Sequence, residues 1–246
     1  MIREIRRELL DELPADDPRA IHSRRDLRRV NAWMGHAGVM APILQRAFRD
    51  RPPRSIVELG AGDGTFLLRL ATRLGPRWKP SRVTLVDQQL LLDGRTRSAF
   101  ETHGWNVHAR QIDLFEWAES QREPADLIIA NLFLHHFIEA DLRRLFARVS
   151  ALTEFFLACE PRRSPAALRA TSLLWLIGGN DITRHDGRLS VRAGFADSEL
   201  SRLWPAEAGW QLQERPAGWV SHCFVAGRAS GQTGPVSSIR HDGPPR

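Results

Sequence analysis

The stretch IVELGAGDGT, Ile56 to Thr65, runs an apolar segment through Glu58 into Gly60, Gly62 and Gly64. Residues of this type at this spacing suit a buried strand, then a turn whose backbone can approach a ligand, then a helix whose free amide groups face the crevice at the strand ends. The next apolar run, VTLVD, ends on Asp87, 27 residues beyond Gly60. A carboxylate at that place can accept both hydroxyls of a ribose. Each acid also has a plainer reading, Glu58 as a capped structural acid and Asp87 as a surface turn residue. Their joint occurrence at successive strand ends favours binding.

The order of the glycines separates cofactors. A nicotinamide or flavin site wants GxGxxG, its third glycine serving helix packing, whereas this loop reads GxGxG with Glu58 two residues earlier. The arrangement resembles the first motif of class I S-adenosylmethionine-dependent methyltransferases. That resemblance implies S-adenosyl-L-methionine as cofactor, with Glu58 at its methionine end, Gly60, Gly62 and Gly64 beneath it and Asp87 on the ribose. It places Asp113, in ARQIDLFEW, against the adenine amino group, although Asp113 also reads as an ordinary loop acid. ADLIIANLFLHHF, Ala125 to Phe137, resembles the fourth strand of small-molecule members and brings Asn131 to the cofactor, and FFLACEP, Phe155 to Pro161, resembles the fifth. The likeness covers residues 55 to 161.

A sulfonium methyl is already electrophilic, so such an enzyme must align the acceptor, exclude water and take up any proton released. Asn131 is followed by Leu132, Phe133 and Leu134 instead of the Pro-Pro-aromatic signature of amino-group methyltransferases, and there is no Pro-Cys pair for attack on a cytosine ring. A small acceptor of phenolic, quinoid or polyketide-derived chemistry is expected. His135 and His136 stand where acceptor and sulfonium would meet, and His136 is the first candidate base, with packing as the competing reading of the pair. TRHDGRLSVRAGF, Thr183 to Phe195, provides the second candidate, His185, beside Arg184 and Asp186, with an ordinary surface loop as the alternative. Trp33, Met34 and His36, with Leu173, Leu174, Trp175 and Leu176, supply apolar surface to close over the acceptor or to pack the core. The chain has no tyrosine, which excludes a phenolic base. Two other classes stay open, a nicotinamide oxidoreductase and a cofactor-binding partner subunit without catalysis.

These residues need a frame, and the pattern predicts one. Apolar runs at Ile56–Leu59, Val83–Val86, Val107–Ile112, Leu127–Ala130 and Phe155–Cys159 alternate with helical periodicity at Phe66–Leu74, Gln88–His103 and Glu139–Leu152. Alternation of this kind makes an α/β fold with a doubly wound, mostly parallel sheet. Trp210–Glu214 and Trp219–Ala226 complete seven strands as an antiparallel pair on one edge, after a helix at Ala196–Ala208. Residues 1–54 read as an N-terminal helical cap, with helices over 2–13 and 26–48, the latter interrupted near Gly35, Gly38 and Pro42. Residues 55–227 form the main domain, 162–195 an insertion with an apolar helical piece Ala166–Ile177, and 228–246 a disordered tail.

Composition narrows the class further. The 246 residues are 26% charged and 42% hydrophobic, enough for a packed core. The formal charge of +6 comes from arginines spread over the ends, with 12 in residues 1–54 against 8 acids. A dispersed excess disfavours a nucleic-acid partner. The absence of a long apolar run or basic leader points to a cytoplasmic chain without membrane association, of open oligomeric state. Cys159 and Cys223 lie inside apolar runs and read as buried free thiols, and no His, Cys, Asp and Glu spacing suggests a metal site.

Overall fold

The computed structural model describes residues 1–14, 17–89, 91–173, 180–207 and 209–228, with the side chains of Asp11 and Glu12 left aside. Residues 229–246 of the expected tail and 174–177 of the expected apolar helical piece lie outside those residues, while Arg228 belongs to the last strand. In chain order the elements are α1 (Leu9–Glu12), α2 (Pro18–Met34), α3 (His36–Ala47), β1 (Ser55–Leu59), α4 (Thr65–Leu74), β2 (Arg82–Asp87), α5 (Gly94–Thr102), β3 (Val107–Gln111) and α6 (Leu114–Ser120). Then follow β4 (Leu127–Asn131), α7 (Glu139–Leu152), β5 (Phe155–Pro161), α8 (Pro165–Ala170), α9 (Asp181–Ala193), α10 (Glu199–Leu203), β6 (Trp210–Ala217) and β7 (Ser221–Arg228).

The sheet has seven strands in the order β3-β2-β1-β4-β5-β7-β6. Only β7 and β6 break the parallel run, β7 lying antiparallel to β5 and β6 to β7. The expected doubly wound sheet is therefore present, and the order reverses between β1 and β4, the place where ligands settle above such sheets.

Period-two alternation divides the core between the faces. Ile56, Leu127, Ile129, Leu157, Cys159, Cys223 and Val225 face one layer with Met40, Leu44, Leu67 and Leu70 of α3 and α4. Their neighbours Val57, Leu59, Ile128, Ala130, Phe156, Ala158 and Phe224 face the other, against Trp117, Leu142, Phe146, Val149 and Trp204. Each large side chain so buried contributes about 1.5–3 kcal/mol relative to exposure. Cys159 pairs in register with Cys223, and both are free and buried, as expected.

Tertiary contacts overrule local periodicity at several places. The helix expected over 2–13 is reduced to α1, because the preceding segment is held straight against α9. The Glu4 amide donates to Arg192 O, the Arg3 guanidinium donates to the carbonyls of Ala193, His135 and Phe137, and the Leu9 and Leu10 amides donate to Asp186. The break in the second helical stretch is confined to Gly35, whose φ of 67° ends α2, while α3 runs on through Gly38 and Pro42. The helix expected over 88–103 shortens to α5, since Asp93 caps it by accepting from the Thr96 amide and Asp87 takes the Gln89 amide. The segment Thr183–Phe195, open to a surface-loop reading, is mostly helical as α9, whereas the helix expected over 196–208 shrinks to α10.

Candidate active site

A cavity of about 330 Å³ opens at the switch point. One side is the glycine turn. Gly60, Gly62 and Gly64 all have positive φ, at 66°, 56° and 76°, yet they do different things. A side-chain carbon on Gly60 would fall 2.1 Å from the Phe133 ring, and one on Gly64 would lie 3.0 Å from Leu85, whereas one on Gly62 would meet no atom within 4 Å. Gly60 and Gly64 thus make room for packing, and Gly62 keeps the backbone open toward the cavity.

Asp87 ends β2 and locks this turn, accepting from the Gly62 amide at 2.8 Å and the Gln89 amide at 2.9 Å. Asp63 lies on the same wall, accepting from the Thr65 amide and hydroxyl and from Arg28 of α2 at 3.0 Å. Glu58 is 1% exposed and its Oε2 has no hydrogen-bond partner among the described residues. Burial, reinforced by the charges of Asp63 and Asp87, raises its pKa well above the usual carboxylate range. A buried unpaired acceptor among carboxylates suits a cationic or N–H group entering the cavity, which would return the proton to solvent.

The opposite side is built by the ends of β4 and β5. Asn131 shares the parity of Leu127 and Ile129 and so meets α3, where its Oδ1 accepts from His36 Nδ1 at 2.6 Å. His36 Nε2 lies 2.7 Å from the Ser221 hydroxyl, so the ring donates at one nitrogen and accepts at the other. Burial lowers its pKa against the pull of Asn131, in keeping with a neutral ring. The chain then turns sharply at Leu132, whose φ is 53°, and Phe133 drops into the space left by Gly60.

Glu160, of the opposite parity on β5, is fully buried on the other face. It accepts from the amides of Phe133 and Leu134 and from His135 Nδ1 at 2.8 Å. The far nitrogen of His135 is 3.6 Å from Glu8, itself held by the Ser190 hydroxyl of α9. Burial opposes charge on His135, but the two carboxylates outweigh it and raise its pKa to about 9. His136 lines the cavity beside it, the two rings 4.3 Å apart. Burial and then the charge on His135 push its pKa down to about 4, leaving a neutral imidazole in the cavity.

The remaining expected residues sit differently. Asp113 is an exposed N-cap of α6, accepting from the amides of Phe115 and Glu116 and from Gln88, and it does not line the cavity. His185 also lies outside the cavity lining. Its side chain, 3.1 Å from Asp186, is 53% exposed, because α9 turns Thr183, Asp186, Gly187 and Ser190 inward and leaves Arg184, His185 and Arg188 on its outer face. Replacing Arg184 and His185 with alanine should therefore leave both cofactor affinity and turnover within about threefold, as expected of surface changes within ~0.5 kcal/mol. A large loss of turnover at unchanged cofactor affinity would return them to the site.

Glu8 and Glu160 were not expected at the site, His36 was expected only as cover, and Asp186 only as a neighbour of His185. Glu160 carried a sequence signal, an acid inside the apolar run FFLACEP, and so did Asp186, next to His185. Glu8 carried none. Of the apolar cover expected, Trp33 and Met34 line the cavity, His36 is a buried polar link, and Leu173 is half exposed.

No characterised protein matches the chain in sequence. Residues 56–154 match the family described as a methyltransferase domain. In fold, the chain is similar to an O-methyltransferase family protein from Burkholderia thailandensis, at 19% identity and a TM-score of 0.58, over 89% of this chain and 62% of that one. The present chain therefore spans less than two thirds of that relative's length. It is also similar to the plantazolicin methyltransferase BpumL in complex with SAH, at 12% identity and TM-score 0.60, covering 87% and 91% of the two chains. A third likeness is magnesium protoporphyrin IX methyltransferase from Synechocystis PCC 6803 with bound SAH, at 12% and 0.52, covering 89% and 91%. The stretch that matches the methyltransferase domain, residues 56–154, carries β1 to β4 of this sheet order, with the glycine turn and the acid Asp87 at its switch point.

Proposed function

We propose that the chain transfers the methyl group of S-adenosylmethionine to a small acceptor of phenolic, quinoid or polyketide-derived chemistry. The observation that carries the reading is one continuous cavity joining the glycine turn, Glu58 and Asp87 to His136 and to an apolar wall of Leu27, Val30, Trp33, Met34 and Val191. When bound, the cofactor supplies an electrophilic methyl on a sulfonium, leaving as the neutral thioether. The residues supply position and proton traffic. Glu58 takes the cationic methionine end, the open backbone at Gly62 admits the cofactor, and Asp87 accepts from the ribose with the lone pairs its amide bonds leave unused. Neutral His136 receives the proton that a hydroxyl acceptor gives up as its oxygen bonds to the methyl carbon. The apolar wall excludes water and orients the acceptor.

The test has two parts. Calorimetry should show binding of S-adenosylmethionine and S-adenosylhomocysteine and none of NADH, which separates transfer from a nicotinamide oxidoreductase. A panel of phenols, quinones and resorcinol-like compounds should then yield a product heavier by one methylene, and its complete absence would leave a cofactor-binding subunit as the better account.

Asp87→Ala should weaken cofactor binding by about 1.5–3 kcal/mol, the scale for hydrogen bonds to a charged group. Titration calorimetry on the folded variant checks it, and unchanged affinity would remove Asp87 from the ribose. Because Asp87 also holds the Gly62 amide, a modest drop in melting temperature should accompany the loss.

A further inference from the structure

Three donors from two distant parts of the chain converge on the cavity wall beside the proposed acceptor space. Glu8, His135 and His136 each present a ligand atom, all within 4.8 Å of one another. We propose that this cluster is a binding site for a divalent first-row transition-metal ion such as Zn²⁺ or Co²⁺.

The donor set is two imidazoles and one carboxylate, which suits zinc, cobalt, iron or nickel better than the all-oxygen preference of magnesium and calcium. Its geometry is close to what one ion needs. His135 Nε2 and Glu8 Oε1 are 3.6 Å apart. Two donors each about 2.1 Å from a shared ion lie roughly 3.4–3.6 Å apart at angles between tetrahedral and trigonal. His136, the less buried of the histidine pair, presents its ligand atom within 4.8 Å of the other two.

The outer contacts point the same way. Glu160 holds His135 Nδ1 at 2.8 Å and is itself fixed by the Phe133 and Leu134 amides, so the other ring nitrogen is aimed at Glu8, and an ion binding there displaces its proton to solvent. A buried carboxylate behind a histidine is the arrangement that orients metal-ligating imidazoles and raises their basicity. Ser190 donates its hydroxyl to Glu8 Oε1, the oxygen that faces His135, and so fixes the position of the carboxylate. Three protein ligands leave coordination positions that face the cavity. The site does not depend on the proposed acceptor or on the methyl-transfer reading, although an ion there would hold the lone pair His136 needs as a base.

The experiment is titration of the chelator-treated full chain with Co²⁺ and Zn²⁺, read by calorimetry and, for Co²⁺, by its visible absorption, with S-adenosylhomocysteine binding measured in parallel. One ion per chain is expected, with the cobalt absorption of a nitrogen-ligated, low-coordinate site. Glu8→Gln and His136→Ala should each weaken it at least ~10-fold, the usual cost of disturbing a metal's ligand shell, while homocysteine-cofactor binding stays unchanged. Glu8→Gln keeps the acceptor for Ser190, so it tests the ligand charge without freeing the N-terminal segment. No binding by the wild-type chain, or equal binding by wild type and both variants, overturns the metal site. Loss of homocysteine-cofactor binding in the wild type would instead overturn the methyltransferase reading, whatever the metal does.

Discussion

Gly62→Val is expected to lower affinity for S-adenosylmethionine at least ~100-fold, about 2.7 kcal/mol or more, in a chain that stays folded. The physical reason is the space around Gly62. A side-chain carbon there meets no protein atom within 4 Å, so the core does not resist the branched side chain, which projects into the volume the cofactor would occupy. The residue also sits at φ of 56°, where a non-glycine residue costs roughly 1–2 kcal/mol. A fall of some degrees in melting temperature is therefore expected, not unfolding. Gly60→Ala provides the contrast. Its new methyl would overlap Phe133, so that variant should lose stability first and binding only as Phe133 is displaced. Calorimetric binding beside thermal melts for both variants distinguishes the two roles. Near-normal binding by Gly62→Val would sink the assignment of the glycine turn to the cofactor.

His136→Ala should slow transfer to a hydroxyl acceptor by ~10²- to 10⁴-fold, the usual contribution of a positioned base. The pH dependence differs from that of an ordinary histidine. Burial and the charge on His135 hold His136 at about 4, so the base is already deprotonated above roughly pH 5. The wild-type profile of kcat/KM should rise through that low pKa as pH increases and lie flat across neutrality. An unperturbed imidazole would instead give an inflection near 6.5. The variant should lack the acid limb. Stability follows the same sign, because a histidine whose folded pKa is depressed disfavours the native state as pH falls from about 6.5 toward 4. Matching profiles for the two proteins at equal folded concentration would assign His136 to the scaffold.

Much of the architecture was legible in the chain because the signals are local. Buried parallel strands read as short apolar runs, the glycines at 60, 62 and 64 mark a turn only such residues make cheaply, and an acid closing the next run lands on the same crevice edge. Those facts determined the sheet, the switch point, and Glu58, Gly62 and Asp87 around it. They also determined that Cys159 and Cys223 would be buried thiols, since both interrupt strands that are apolar on each side.

The acceptor side was decided by contacts that no local pattern encodes. Glu8 reaches His135 across more than half the chain only because the N-terminal segment gives up its helix, and that exchange is made favourable by α9, which accepts the Glu4 amide and caps Leu9 and Leu10. The choice between His185 and Asp186 turned on a rotation of about 100° per residue in a helix, with Asp186 inward and His185 in solvent. The same holds for the histidine pair. Composition makes His135 and His136 equivalent, yet Glu160, sent to that face by strand parity, charges the first, and the charge then keeps the second neutral. Sequence alone determined where the glycine turn and its acids would lie, and only tertiary packing determined which imidazole beside the cavity is held neutral, because the relevant fields arise from carboxylates remote in the chain and close in space.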